Sequence, residues 1–98
     1  MQITEVKIVP VDEERLKGYV TITLDNCFVI SEIKIIRSKK GYLVQMPQRK
    51  RKDGTYVDIA YPNTLEARKM LEEKILAAYR LIAPETVKGR VLKQKPGN

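Results

Sequence analysis

The chain contains no histidine. That removes the commonest general base, the commonest activator of a nucleophile and the commonest metal ligand at once. Cys27 is the one cysteine, so neither an internal disulfide nor a structural zinc site can form. Within the apolar run Cys27-Phe28-Val29-Ile30 it reads as a small buried side chain rather than a nucleophile. No run of about eighteen apolar residues occurs, which excludes a bilayer-spanning helix. The opening Met1-Gln2-Ile3-Thr4-Glu5-Val6-Lys7 lacks the basic and then apolar regions of a secretory signal, and a cytoplasmic location is expected. The acids Asp53 and Asp58, and the pair Glu72-Glu73, have no histidine beside them. Metal-ligand spacings and glycine-rich phosphate loops are also missing. An enzyme is therefore not expected, nor a cofactor, a metal or a small-molecule substrate.

Negative charge is missing from one place in particular. Residues 37–52 hold Arg37, Lys39, Lys40, Arg49, Lys50, Arg51 and Lys52 and not one acid. The chain carries a net +7 from 19 basic and 12 acidic residues, and outside this window basic and acidic residues balance. The excess is therefore local. A compact protein with one concentrated cationic stretch attracts polyanions, nucleic acid first among them.

Ninety-eight residues, 43% of them apolar, suffice for one domain with one core. That domain is expected over residues 1–83. A mobile basic tail follows over residues 84–98, where Lys88, Arg90, Lys93 and Lys95 would add non-specific affinity. The first sixty residues alternate in the manner of strands. The first strand runs from about Gln2 to Val9, with Val6 and Ile8 on one face. Pro10 and the acidic Asp12-Glu13-Glu14 break it. Gly18 opens a second strand, in which Val20, Ile22 and Leu24 alternate with Tyr19, Thr21 and Thr23. After a turn at Asp25-Asn26, a third strand spans about Cys27 to Arg37, with Val29, Ile33 and Ile35 on one face. A four-residue turn, Ser38 to Gly41, leads to a short fourth strand marked by Tyr42, Val44 and Met46. Pro47 ends it. The basic loop Gln48 to Lys52 comes next, then the hairpin signal Asp53-Gly54 and a fifth strand from Thr55 to Ala60.

The period changes at residue 63. Asn63 or Thr64 is a suitable N-cap, and Glu66 places an acid in the first helical turn. From Leu65 to about Ile82 one stripe holds Ala67, Leu71, Ile75, Ala78 and Ile82, flanked by Met70, Tyr79 and Leu81. Leu76 falls on the polar side, where it reads as a contact to a second subunit or as an exposed leucine, the exposed reading being preferred. One helix covers one sheet face. The expected fold is α+β: a five-stranded twisted antiparallel sheet followed by a C-terminal amphipathic helix.

Several segments, in this order, resemble the SpoVG family of stage V sporulation protein G or septation proteins. They are Met1-Gln2-Ile3-Thr4-Glu5-Val6-Lys7-Ile8, then Thr21 to Ile30 running into Glu32-Ile33-Lys34-Ile35-Ile36. The most specific is Met46-Pro47, the basic residues, Asp53-Gly54 and Asp58-Ile59-Ala60-Tyr61-Pro62. Gln48 and Tyr61 stand where the family more often has serine and histidine, and neither change removes a charge. The resemblance implies a bacterial regulator of sporulation or septation that binds DNA and, in some members, RNA. It also implies a homodimer built by strand pairing, with the helix packed at the junction. Matched residue by residue, the family's binding loop corresponds to Arg49, Lys50, Arg51 and Lys52, and its helical positions to Arg68 and Lys69.

The loop reads the same way without the resemblance. Four consecutive cations between a proline and a glycine turn must project into solvent, because unpaired charge is costly to bury. Arg49 and Arg51 suit bidentate contacts to phosphate or guanine, and Lys50 and Lys52 suit phosphate alone. With a fourth strand of about five residues, the tip at Lys39 and Lys40 is expected at the same end of the sheet. Tyr42, Tyr56 and Tyr61 are candidates for stacking on unpaired bases. The competing reading is a protein-interaction module that uses an exposed sheet edge and its basic surface.

Overall fold

The computed structural model describes residues 1–83; the tail expected at 84–98 lies outside the described residues. The elements are β1 (Ile3–Pro10), β2 (Leu16–Leu24), β3 (Phe28–Ser38), β4 (Gly41–Gln45), β5 (Gln48–Lys50), β6 (Tyr56–Asp58) and α1 (Leu65–Ile82). β1 to β4 form an antiparallel meander in sequence order. β5 and β6 form a separate two-stranded antiparallel sheet. The architecture is α+β, with six strands in two sheets rather than five in one. Met46-Pro47 divides them: proline has no N–H to continue the β3–β4 ladder, and the chain leaves to pair with its own continuation.

The meander is held in register by its turns. Asp25 and Asn26 both have positive φ, 49° and 57°, and the Cys27 N–H donates to the Leu24 carbonyl at 2.9 Å. This is a type I′ turn, whose twist matches the strands it joins. Cys27 lies in it and is exposed, contrary to the buried position expected. Residues in such a turn project outward, whatever the hydropathy of the run they belong to.

One irregularity changes which side chains reach the core. Val20 pairs with Ile33, yet Ile22 pairs with Ile30, so Ser31 and Glu32 together oppose Thr21. Glu32 has φ 63° and sits in this β-bulge. The extra residue inverts the alternation along β3. Ile30, not Val29, shares the core face with Ile33 and Ile35, and Val29 is exposed on the opposite face. Gly18 also differs from expectation. It lies inside β2 beside a second bulge, and a Cβ there would come within 3.3 Å of both Ile8 Cγ2 and the Val9 carbonyl oxygen. β2 therefore starts earlier, at Leu16.

The helix begins at Thr64, whose hydroxyl accepts from the Ala67 N–H at 3.0 Å. It packs against β1 and β4, the two edges of the meander, and bridges the middle strands. Leu71, Ile75 and Tyr79, one turn apart, meet the fully buried Val20, Ile22, Ile33 and Ile35. Leu76 is half-buried against this core rather than exposed. Leu81 and Ile82 are exposed on the outer side of the last turn, while Tyr79 and Ala83 on its inner side are buried in the core. The Tyr42 and Tyr79 rings meet edge to face at 5.6 Å. Burial raises both phenol pKa values; the Arg37 charge opposes the rise at Tyr42, and the charges of Tyr42 and Asp12 add to it at Tyr79. The Tyr42 hydroxyl is buried without a hydrogen-bond partner among the described residues. Tyr42 is thus a core residue and not a stacking platform.

Candidate nucleic-acid interface

The cationic stretch is a β-ribbon. Gln48 pairs with Asp58, Arg49 with Val57 and Lys50 with Tyr56. Nothing in Gln-Arg-Lys favours a strand by propensity; the turn and the ribbon base impose it. At the tip the Arg51 N–H donates to the Thr55 carbonyl at 2.7 Å, and the Gly54 N–H donates to the Arg51 carbonyl at 3.0 Å. Gly54 has φ 92°, which a side chain would strain. Asp53 Oδ1 accepts from the Thr55 hydroxyl at 2.7 Å and from its N–H at 3.0 Å. Those two bonds, the hydroxyl's first, hold the Asp53 carboxyl below the usual carboxylate range. At the base the Ile59 N–H donates to the Pro47 carbonyl at 2.7 Å, and the Gln48 amide donates to Asp58 Oδ1 at 2.8 Å.

Both carboxylates of the ribbon are therefore engaged by neutral donors. Arg49, Lys50, Arg51 and Lys52 are all exposed, and none has a carboxylate within 4 Å among the described residues. Their charge is directed outward and is not paired by any carboxylate of the described residues. Strand alternation turns Arg49 to one face, with Val57, and Lys50 to the other, with Tyr56. Arg51 and Lys52 extend from the tip. Such a ribbon presents cations in several directions, as a curved phosphate backbone requires. Tyr56 is 63% exposed beside Lys50, so an aromatic face and a cation lie side by side.

The remaining expected residues are not gathered at this one place. Lys39 and Lys40 are exposed in the β3–β4 turn, where the Lys40 N–H donates to the Ser38 hydroxyl at 3.2 Å. That turn and the ribbon base lie at opposite ends of β4, a separation of roughly 17 Å at a strand's rise of about 3.3 Å per residue. The expectation that tip and ribbon share one end is corrected on this ground. On α1, Arg68 is paired with Glu72 at 3.5 Å, so its charge is locally offset; the adjacent Lys69 is exposed and has no such partner among the described residues.

An apolar groove of about 410 Å³ opens between the sheet and the start of the helix. Leu24, Ile30, Met46, Ile59, Tyr61 and Leu71 line it, and Ile59 is 61% exposed. Tyr61 belongs to this groove rather than to the ribbon. Among the described residues no cluster of three or more His, Cys, Asp or Glu side chains suits a metal ion, and no helix is long and apolar enough to cross a membrane.

The sequence matches the SpoVG family model over residues 1–81. It is 54% identical over 79 residues to a protein of Bdellovibrio bacteriovorus named "Putative septation protein SpoVG", covering 81% of this chain and 73% of that one. A protein of the same name from Anaeromyxobacter sp. (strain Fw109-5) is 53% identical over 79 residues, 81% of each chain. One from Clostridium beijerinckii is 43% identical over 91 residues, covering 91% of this chain and all of that one.

Proposed function

The chain belongs to the SpoVG family, and from its basic ribbon we propose that it is a small nucleic-acid-binding regulator that acts on DNA and also on RNA. The relatives named for septation support a role in septation- or sporulation-type processes. It acts by binding and catalyses no reaction. The observation that carries the reading is the ribbon itself: Arg49 to Lys52, outward, with no carboxylate of the described residues within pairing distance. Charges left unpaired by the fold are available to phosphates, and each phosphate neutralised releases condensed counterions.

The working unit is a homodimer. A second copy covers the groove lined by Leu24, Ile59 and Tyr61 and pairs through a sheet edge, since among the described residues neither β1 nor β4 has an outer neighbour. Ile59→Glu puts a charge into that contact at a position already exposed in the single chain, so the fold is retained. Sedimentation at micromolar protein is expected to give twice the chain mass for the wild type and the single-chain mass for the variant. A wild type that sediments as one chain overturns the dimer.

Binding itself is tested by titrating a duplex of random sequence at several salt concentrations. Two ribbons that neutralise about four to six phosphates give a log–log salt slope near −4 to −5. Absence of any shift at low salt would refute the nucleic-acid reading. It would favour the second one, in which the unpaired edges of β1 and β4 accept a strand of an acidic partner protein.

A further inference from the structure

A second cationic site lies at the other end of β4 from the ribbon. The Arg37 N–H donates to the Arg15 carbonyl at 2.7 Å, one rung beyond the Leu16–Ile36 pair of β2 and β3. This bond brings together two arginines that are far apart in sequence. Side chains opposed across an antiparallel pair have Cβ atoms roughly 5 Å apart, and like charges there repel. Lys39 follows in the adjoining turn. An open hollow of about 500 Å³ is lined by Arg15, Arg37, Ser38, Lys39 and one acid, Glu14. Neither arginine, nor Lys39, has a carboxylate within 4 Å among the described residues, so Glu14 lines the hollow without pairing to any of them. Three cations against one unpaired acid leave the hollow positive.

Among the described residues no carboxylate lies within pairing distance of either arginine, so their mutual repulsion is not relieved by an ion pair. An oxyanion bridging the two guanidinium groups removes the repulsion, and arginine forks fit phosphate oxygens in pairs. We propose that Arg15, Arg37 and Lys39 form a second phosphate-backbone contact for nucleic acid, separate from the ribbon. The inference rests on the nucleic-acid reading above. The distance along β4, roughly 17 Å, corresponds to about five nucleotides of one strand at 3.4 Å each. One protein chain then touches a nucleic acid at two places, and a ligand must be longer than that span to engage both.

The test is a triple variant, Arg15→Gln, Arg37→Gln and Lys39→Gln. All three side chains are exposed, so the core is untouched. Its binding to a random duplex of about 24 base pairs is measured against salt, beside that of the wild type and of a variant with Arg49, Lys50, Arg51 and Lys52 changed to alanine. The triple variant is expected to bind about three- to tenfold more weakly, with a salt slope shallower by at least about 2. If the triple variant misfolds by circular dichroism, Arg15→Gln and Arg37→Gln are made singly, each expected to reduce the slope by about 1. Wild-type affinity and slope in these folded variants overturn the second contact and leave the ribbon reading standing. Loss of binding in the sheet-end variant, with none in the ribbon variant, keeps the second contact and removes the ribbon. A wild type that binds no duplex removes both.

Discussion

Changing Arg49, Lys50, Arg51 and Lys52 together to alanine weakens binding to a double-stranded fragment at least roughly tenfold at fixed salt. The salt slope falls by about 4 to 5 in the same variant, because cations that no longer meet phosphates no longer displace counterions. The size of the effect follows from where these charges stand. They are exposed and unpaired, so in the free protein they lose nothing by facing water, and their contribution appears only when a polyanion arrives. A surface cation already paired to a carboxylate behaves otherwise. Arg68, 3.5 Å from Glu72, would have to give up that partner first, and its removal is expected to matter less.

The ribbon must survive the substitution for the result to be read. Alanine at positions 49 and 50 lowers strand propensity in β5. The tip is held by backbone bonds and by Asp53 and Thr55, which the variant keeps. A companion variant with glutamine at the same four positions keeps side-chain length and polarity without charge. Both variants should lose affinity alike if charge is the cause. If the glutamine variant binds as the wild type does, charge at the ribbon is not what holds the nucleic acid. If both folded variants keep wild-type affinity and slope, the ribbon is not the binding element.

The exposure of the cationic run was legible in the sequence because charge resists burial: a run of four cations has to face solvent whatever the fold. The tight turn at Asp53-Gly54 was legible for a similar reason, since a residue with φ 92° is nearly always glycine. The strand character of Gln48–Lys50 was not. It comes from the partner strand and from the closure at Pro47 and Ile59, and no pattern in three polar residues announces it. The face of Val29 was misread because a bulge at a glutamate leaves no compositional trace. Alternation counted straight through Glu32 selects the wrong side chains. Gly18 looks like a strand opening, yet it is required inside β2, where Ile8 and Val9 approach too closely for a Cβ. The pairing of Arg15 with Arg37 exists only through strand register. The helix was legible in its bounds and in the buried Leu71 and Ile75, but not at Leu76, which is half-buried, nor at Ile82, which is exposed.

Ile75→Ala is expected to destabilise the fold by about 3 kcal/mol, within the range of about 2–5 kcal/mol for large-to-small changes at buried sites. Ile75 is 0% exposed, midway between Leu71 and Tyr79 on the buried face of α1. Those three side chains are the helix's buried contacts with the sheet. Removing the middle one leaves a cavity that Val20, Ile22, Ile33 and Ile35 cannot easily fill, being fixed by strand pairing on both sides. Alanine is the better helix former by a few tenths of a kcal/mol, which offsets only a little of the loss. Domains of this size are stable by about 5–15 kcal/mol, so the loss is a large share of the total. With a urea dependence of about 1 kcal/mol per molar for so small a chain, the midpoint falls by roughly 3 M. Leu81→Ala, in the same helix but 82% exposed, is the reference and is expected to change stability by less than about 0.5 kcal/mol. Both variants are measured at a chain concentration low enough that self-association contributes little, since association shifts apparent stability by mass action. Equal midpoints for the two variants would mean that α1 does not close the sheet through Ile75. The same helix ends the groove at Leu71, so Ile75→Ala should also weaken self-association, while a ribbon variant that keeps the core should dimerise as the wild type does.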